Sequence, residues 1–447
     1  MLIFLILFTP LAYASITIFP LTILETTVAL MILLWFLNMS FKGSIAFVKT
    51  GFSLPIFLFI GLVIFQLIPL PPGFIKLISG GTFNLYRRFM PAQTPGQWLP
   101  LSIYPEAGLA ELFKLASFIG VFFLIINKVE TKKQIDLIFN IIIFFGLAIS
   151  LFGIIQKFSY SGRVYWFDPA QSAGSPFGPF ANRNNFSGYI NMIMPLGLGY
   201  FLTDMPLAKR CIYGFSVGVM SLALFLSLSR SGILVYFFTL MLILALVHFH
   251  DTFKRESMTV YIWFFLIFCL FVFSMESKAI LARFSTLFKE EAFFVFGHGY
   301  SWSDIIRIWQ DFPLFGTGLG TFGNISAMYK TSPAQTSFSY AHNDYLQLLS
   351  ETGLIGLTLI ALFFIFYFKS VVRLWFKRHD LYVISLVLGG LVSICGMLAY
   401  SLLDFNLHIP ANGLLFFIIM GLVYKLVFLH PDQSYLGKEV LPSNGSA

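Results

Sequence analysis

Apolar runs of about twenty residues recur from one end of this chain to the other, and each is long enough to cross a hydrocarbon core of about 30 Å as a helix. They lie near 2–18, 20–38, 52–70, 107–127, 135–156, 187–203, 211–228, 231–249, 259–275, 354–368, 381–403 and 411–429. The pattern predicts an all-α integral membrane protein of about twelve transmembrane helices. Composition excludes the soluble alternative. Hydrophobic residues are 58% of the 447 and charged residues only 11%, and the mean hydropathy is +0.84, so too little polar surface exists to coat a particle of this size.

The formal charge of +8 does not point to nucleic acid, because the basic residues are scattered singly or in pairs between apolar runs and form no stripe. They read as topology signals. With the N-terminus inside, the short inner loops hold Lys42 and Lys49; Lys128, Lys132 and Lys133; Lys209 and Arg210; Lys254 and Arg255; and Lys369, Arg373, Lys377 and Arg378. That is the cytoplasmic excess of the positive-inside rule. Arg283, Arg307 and Lys330 fall in a long outer segment, where charge constrains topology weakly. Ala12-Tyr13-Ala14 looks like a signal-peptidase site, but no basic residue precedes it and another apolar run follows at once, so an uncleaved first span is expected. Cys211, Cys269 and Cys395 each sit inside an apolar run without metal-ligand spacing and read as packing residues.

The expected organisation is a membrane bundle of about nine spans over 1–275, an outer segment over 276–353, further spans over 354–429 and an inner tail over 430–447. No repeat or low-complexity tract interrupts it. The start of the outer segment, Lys278 to Gln310, mixes Phe and Ile with Arg and Lys, which suits helices lying on the membrane surface.

Nearly all the unusual polar chemistry falls on the outer side, in five places. FGPFANRNNFSGY over 177–189 sets Arg183 among Asn182, Asn184 and Asn185 just before a span, a group of donors suited to sugar or phosphate, or else a helix cap. SLSRSG over 227–232 puts Arg230 between two spans at the membrane boundary. An unpaired guanidinium is costly there, and its fork together with the following helix N-terminus suits a diphosphate. RIWQDFPLFGTGLGTF over 307–322 offers Arg307 as a second anion contact, followed by glycines that permit a tight chain reversal and have no strand before them as a dinucleotide site requires. In YAHNDYLQLLSETGLIG over 340–356, His342, Asp344, Tyr345 and Glu351 are expected to spread over several helix faces rather than to form a metal pair. A lone His at the membrane mouth suits a general base acting on a sugar hydroxyl. Last, DFNLHIPAN over 404–412 carries Asp404, Asn406 and His408, too few ligands to specify a metal and better placed as support beside an acceptor pocket.

Taken in order, NRNNFSGY, SLSRSG, RIWQDFPLFGTGLG and HNDYLQLLSETGLIG resemble the O-antigen ligase and polymerase family of bacterial inner-membrane glycosyltransferases, over about residues 140–425. The resemblance implies a GT-C-like helical fold in the bacterial inner membrane, with both termini cytoplasmic and the outer segment between spans nine and ten periplasmic. It implies a donor glycan carried on undecaprenyl diphosphate, an acceptor that is lipid A core, another glycan or a protein hydroxyl, and inverting transfer that uses neither metal nor cofactor. It carries phosphate contact onto Arg230 and Arg307 and catalysis onto His342, with Asp344 or Glu351 expected to orient that His. Asn343 follows His342, so the paired-His form of the motif is absent. An activated sugar diphosphate asks for little else: cations for the departing charge and a base for the acceptor hydroxyl. Asn182, Arg183, Asn185, Asp344, Tyr345, Glu351 and His408 are the expected substrate contacts, and membrane lipids surround the whole. The rival from another class is a transporter of polyprenyl-linked glycans, which would place ionisable groups near the midplane, whereas Glu25 and Lys114 both fall toward the outer side.

Overall fold

The computed structural model describes residues 1–43, 47–90, 96–159, 163–165, 168–169, 175–250, 302–331 and 339–428. Fifteen α-helices lie among them. Eight are long and apolar enough to cross a membrane: α2 (Ile18–Lys42), α6 (Pro105–Lys128), α7 (Lys132–Phe158), α9 (Leu207–Leu226), α10 (Arg230–Phe249), α13 (Asp344–Trp375), α14 (Leu381–Tyr400) and α15 (Pro410–Phe428). The chain is therefore an all-α, multi-pass membrane protein. The expected span at 259–275, Cys269, Lys254 and Arg255, Arg283 and the tail over 430–447 lie outside the described residues. The only strands among the described residues are the two-residue Arg163–Val164 and Asp168–Pro169, paired antiparallel.

Three of the expected spans take a different form. The first run breaks after α1 (Leu2–Leu11), which contains Pro10 and gives way to Tyr13, Ala14 and Ser15 in left-handed backbone. The third run yields only α3 (Ser53–Leu67), 15 residues long. The sixth is α8 (Arg183–Leu202), 20 residues long but too rich in Asn, Ser and Gly to meet the hydropathy of a lipid-facing span. Its composition fits its place: almost every residue from Asn185 to Leu202 is buried, and α8 packs along α14, α9, α10 and α7 at the centre of the bundle. In such an interior, small and polar residues permit close approach and bonds between helices, such as Ser393 Oγ of α14 donating to the Met192 carbonyl at 2.7 Å.

The two ends of the bundle are closed differently. At one end, Asp136 of α7 accepts from Tyr200 at 2.6 Å and from the Tyr382 hydroxyl, Tyr213 donates to Asn140 at 2.5 Å, and Lys132 sits over the Tyr382 ring. At the other end, α4 (Pro72–Ile78) and α5 (Gly80–Phe89) join α11 (Trp302–Asp311) and α12 (Phe322–Tyr329) in a cap. Ile305, Ile308, Phe312, Phe322 and Ile325 of the cap close over Ala341 and Leu346 at the start of α13. The Gly-rich turn between α11 and α12 presses against a break in α13. Gly316 (φ +69°) faces the Glu351 carbonyl and Gly353 (φ +64°) faces the Leu314 carbonyl, so each occupies left-handed backbone at a position where a Cβ would collide with the other segment. Past Gly353, the Leu354 N–H donates to Pro313 at 2.9 Å and the Ile355 N–H to Leu314 at 3.3 Å, in place of helical partners.

Candidate active site

The site forms where the start of α13 meets the turn joining α14 to α15. Asn343 caps α13, its Oδ1 accepting the Tyr345 and Leu346 N–H groups at 3.1 and 3.0 Å. The cap also fastens the two segments together: Asn343 Nδ2 donates to the Leu402 carbonyl at 3.1 Å, and the Asp344 N–H donates to Ser401 at 2.8 Å. His342 precedes the cap with φ +50°, a left-handed conformation that a residue of this size rarely adopts. The consequence is a crossed pair of dyads. His342 Nδ1 lies 2.8 Å from Asp404 Oδ1, and His408 Nδ1 lies 2.7 Å from Asp344 Oδ1, so each segment supplies the His of one pair and the carboxylate of the other. Phe405 is edge-on to His342 and stacked on Tyr340, whose ring in turn lies against His408.

From Asp404 the network runs toward the N-terminal ends of α8 and α10. Asp404 Oδ2 accepts from Asn184 Nδ2 at 2.9 Å, and Asn184 Oδ1 accepts from Ser229 Oγ at 2.8 Å. Ser229 caps α10 by accepting the Gly232 N–H at 3.2 Å and meets the Tyr400 hydroxyl at 3.1 Å. Arg230, half-buried, is the first residue of that helix. A continuous chain of hydrogen bonds thus joins His342 to the residue beside Arg230 through side chains from four separate segments.

Around His408 the setting is different. Gln347 Nε2 donates to Glu351 Oε1 at 3.1 Å and meets His408 Nε2 at 3.2 Å, while Gln347 Oε1 accepts the Ala341 N–H at 2.9 Å. Glu351 is 1% exposed and accepts the N–H groups of Gly320 and Phe322 at 2.9 and 3.1 Å, pinning the Gly-rich turn to α13. On α6, Lys114 pairs with Glu111 at 2.6 Å and donates to the His408 carbonyl at 3.3 Å. These groups head a cavity of about 160 Å³ whose walls, including Phe59, Phe118 and Phe363, are apolar. Burial pulls the His408 pKa down, but the Asp344 hydrogen bond and the charges of Asp344 and Glu111 outweigh it, and the result lies above the ordinary value. Burial likewise raises the Tyr340 phenol.

The residues expected from the sequence fall into distinct places. Asp344 and Glu351 do not spread over several faces: with Gln347 they follow i, i+3, i+7 and share one buried face, while His342 stands before the helix begins. Neither of them contacts His342 as an orienting group; that partner is Asp404, and Glu351 instead holds the turn. Tyr345 points along α14, its hydroxyl donating to Leu398 at 2.8 Å. Asn182 caps α8 by accepting the Asn184 N–H at 2.8 Å, the Arg183 N–H donates to Ser175, and the buried Asn185 has its carbonyl bonded by Asn412. Arg307 is exposed on the cap, 3.9 Å from Asp304, on a helix that packs over Ala341. Among the described residues no three His, Cys, Asp or Glu side chains are grouped as a metal site requires. Gln347 and Glu111 do not stand out in the sequence as site residues, although the 344-347-351 spacing marks Gln347 as facing inward with its neighbours.

Residues 215–361 match the family model described as O-Antigen ligase. The chain carries an O-antigen ligase family domain. No curated protein matches the chain. The O-antigen ligase match includes Arg230, Arg307, His342, Asp344, Gln347 and Glu351, but Asn184, Asp404 and His408 lie outside it. Half of each dyad, Asp404 of one and His408 of the other, is therefore supplied by chain beyond the matched residues.

Proposed function

We propose that this protein is a GT-C-like, O-antigen ligase-type glycosyltransferase that moves a glycan from undecaprenyl diphosphate to an acceptor hydroxyl at the periplasmic face of the bacterial inner membrane. The observation that carries this reading is the His342–Asp404 pair, whose His lies inside the residues that match the O-antigen ligase model. With its Nδ1 proton donated to Asp404, His342 presents Nε2 as the basic nitrogen. The acceptor O–H gives its proton to Nε2 and its oxygen attacks the anomeric carbon. The bond from that carbon to the diphosphate breaks, and the electron pair leaves on the diphosphate oxygen. A single displacement of this kind inverts the anomeric centre. Arg230, at a helix N-terminus, and Arg307, on the cap above Ala341, supply the positive charge that the leaving diphosphate needs. Asn182, Arg183, Asn185 and Tyr345 remain proposed contacts for the sugars, and the prenyl chain stays in lipid.

The orientation rests on helix ends. Lys42, Lys128, Lys132, Lys209 and Arg373 lie at the helix ends remote from His342, as the positive-inside rule asks of a site on the outer face. A polymerase would use the same chemistry with a second lipid-linked glycan as acceptor. The test is transfer by purified protein in lipid from an undecaprenyl diphosphate-linked oligosaccharide to lipid A core, glycan and peptide acceptors, with His342→Ala and Arg230→Ala alongside. Product from wild type that both variants lose supports the reading and identifies the acceptor. Movement of the donor across the bilayer without transfer would replace it with a carrier.

A further inference from the structure

Gln347 is 1% exposed, and the groups around its amide determine which way round it sits. The Ala341 N–H can only donate, so the atom facing it at 2.9 Å is the amide oxygen; the Glu351 carboxylate accepts, so the atom facing it at 3.1 Å is the NH₂. That NH₂ also faces His408 Nε2 at 3.2 Å, which must therefore carry a lone pair, with the ring proton on Nδ1 and donated to Asp344. The set is complete only while His408 is neutral. A proton on Nε2 sets two N–H groups against each other, and the conflict is relieved by rotating the amide, which turns its NH₂ toward the Ala341 N–H and breaks that bond.

Ala341 is the residue before His342, whose left-handed backbone is held by bonds on either side: Gln347 on the Ala341 N–H, and the Asn343 cap with the Asp344–Ser401 bond beyond. Resting on the reading of His342 as the base of the transfer reaction, we infer that Gln347 is a positioning residue for His342 and that His408 is the proton-sensitive key that sets its amide. Neutral His408 keeps the clamp on Ala341; protonated His408 releases it. The charged or titratable groups facing His408 are Asp344 and Glu351 from α13, Glu111 and Lys114 from α6, and Tyr340, while Asp404 of its own loop is committed to His342. Acids predominate, so protonation comes early on acidification.

The test is the pH dependence of kcat for glycan transfer by the purified full-length protein in lipid. Wild type is expected to lose kcat on the acid side with a slope approaching the second power of proton concentration over the roughly one to two decades of rate that the clamp controls, protonation of His408 adding to the loss of the base. Gln347→Met, which fills the space without hydrogen bonds, is expected to lower kcat roughly 10- to 100-fold with little change in donor KM, as a small displacement of a reacting group does. Its acid limb should fall to the first power although both histidines remain. His408→Gln should also give a first-power limb. A first-power limb in wild type overturns the inference, and so does a second-power limb that persists in either variant. Absence of transfer by wild type with every donor and acceptor at any pH is a separate failure, that of the glycosyltransferase reading, and the inference falls with it.

Discussion

The two His–carboxylate pairs are built from the same side chains at nearly the same distance, 2.8 Å for His342–Asp404 and 2.7 Å for His408–Asp344, yet their surroundings differ in kind. Asp404 spends its other oxygen on Asn184, which leads to Ser229 and the end of α10 where Arg230 sits. His408 spends its second nitrogen on Gln347 and is enclosed by Glu111, Lys114 and Glu351 at the head of an apolar cavity. A dyad takes its role from where its remaining valences lead. The first leads to the N-terminus of α10, where Arg230 sits, the second back into the scaffold that holds the first.

The largest effect that would sharpen this contrast is expected at the first pair. His342→Ala should lower kcat about 10³-fold and Asp404→Asn about 10²-fold, the range for losing a general base or its orienting carboxylate, measured as initial transfer rate at saturating donor. Equal, small losses at both pairs would break the distinction. Next, Arg230→Ala should cost roughly 10²-fold in kcat/KM for the lipid-linked donor, with Arg230→Lys recovering only part because a point charge lacks the guanidinium fork. Glu351→Gln belongs to the scaffold: it replaces an acceptor of three hydrogen bonds by a group that can keep only some of them. It should lower stability by about 1–3 kcal/mol, read as a fall in Tm in detergent larger than the fall in kcat.

A smaller effect follows from His408 itself. Its pKa in the fold lies above the ordinary 6.5, so the fold favours the protonated form; that stabilisation is full below about pH 6.5 and is lost as pH rises through the raised value. Tm should decline slightly across that window in wild type and stay flatter in His408→Gln. Smallest of all, Asp136→Asn should cost about 1 kcal/mol of stability and leave kcat as it is, because its tyrosine partners lie at the opposite end of the bundle from either dyad.

Span positions were legible because length and hydropathy act within one segment: α6, α7, α10 and α15 begin and end within a few residues of the runs that foretold them. The exceptions have local causes, Pro10 in the first run and the Asn- and Gly-rich interior helix α8 in the sixth. The chemistry-bearing motifs were also visible, since charged and amide residues stand out against apolar sequence. Their pairing was not. His342 and Asp404 are 62 residues apart, and nothing periodic links a turn between two spans to the cap of a third. Asp344 was the nearer carboxylate in sequence and was expected to serve His342, but the helix starts at Asp344 and turns it inward to His408. Gln347 escaped notice because an amide has no charge to draw attention, and its value lies in having a donor end and an acceptor end.

The break at Gly353 bears on how bilayer thickness reaches this protein. The membrane-crossing part of α13 is not continuous with the two turns that begin at Asp344; its first free N–H groups are bonded to Pro313 and Leu314, the turn that follows α11. A thicker or thinner bilayer tilts a span to match its hydrophobic length. Tilt of residues 354–375 would then pull first on that turn, and through it on the helix bearing Arg307, before it disturbed the crossed dyads. With Arg307 as the proposed diphosphate contact and His342 as the proposed base, reconstitution in lipids of graded acyl length is expected to change donor KM more than the pH dependence of kcat.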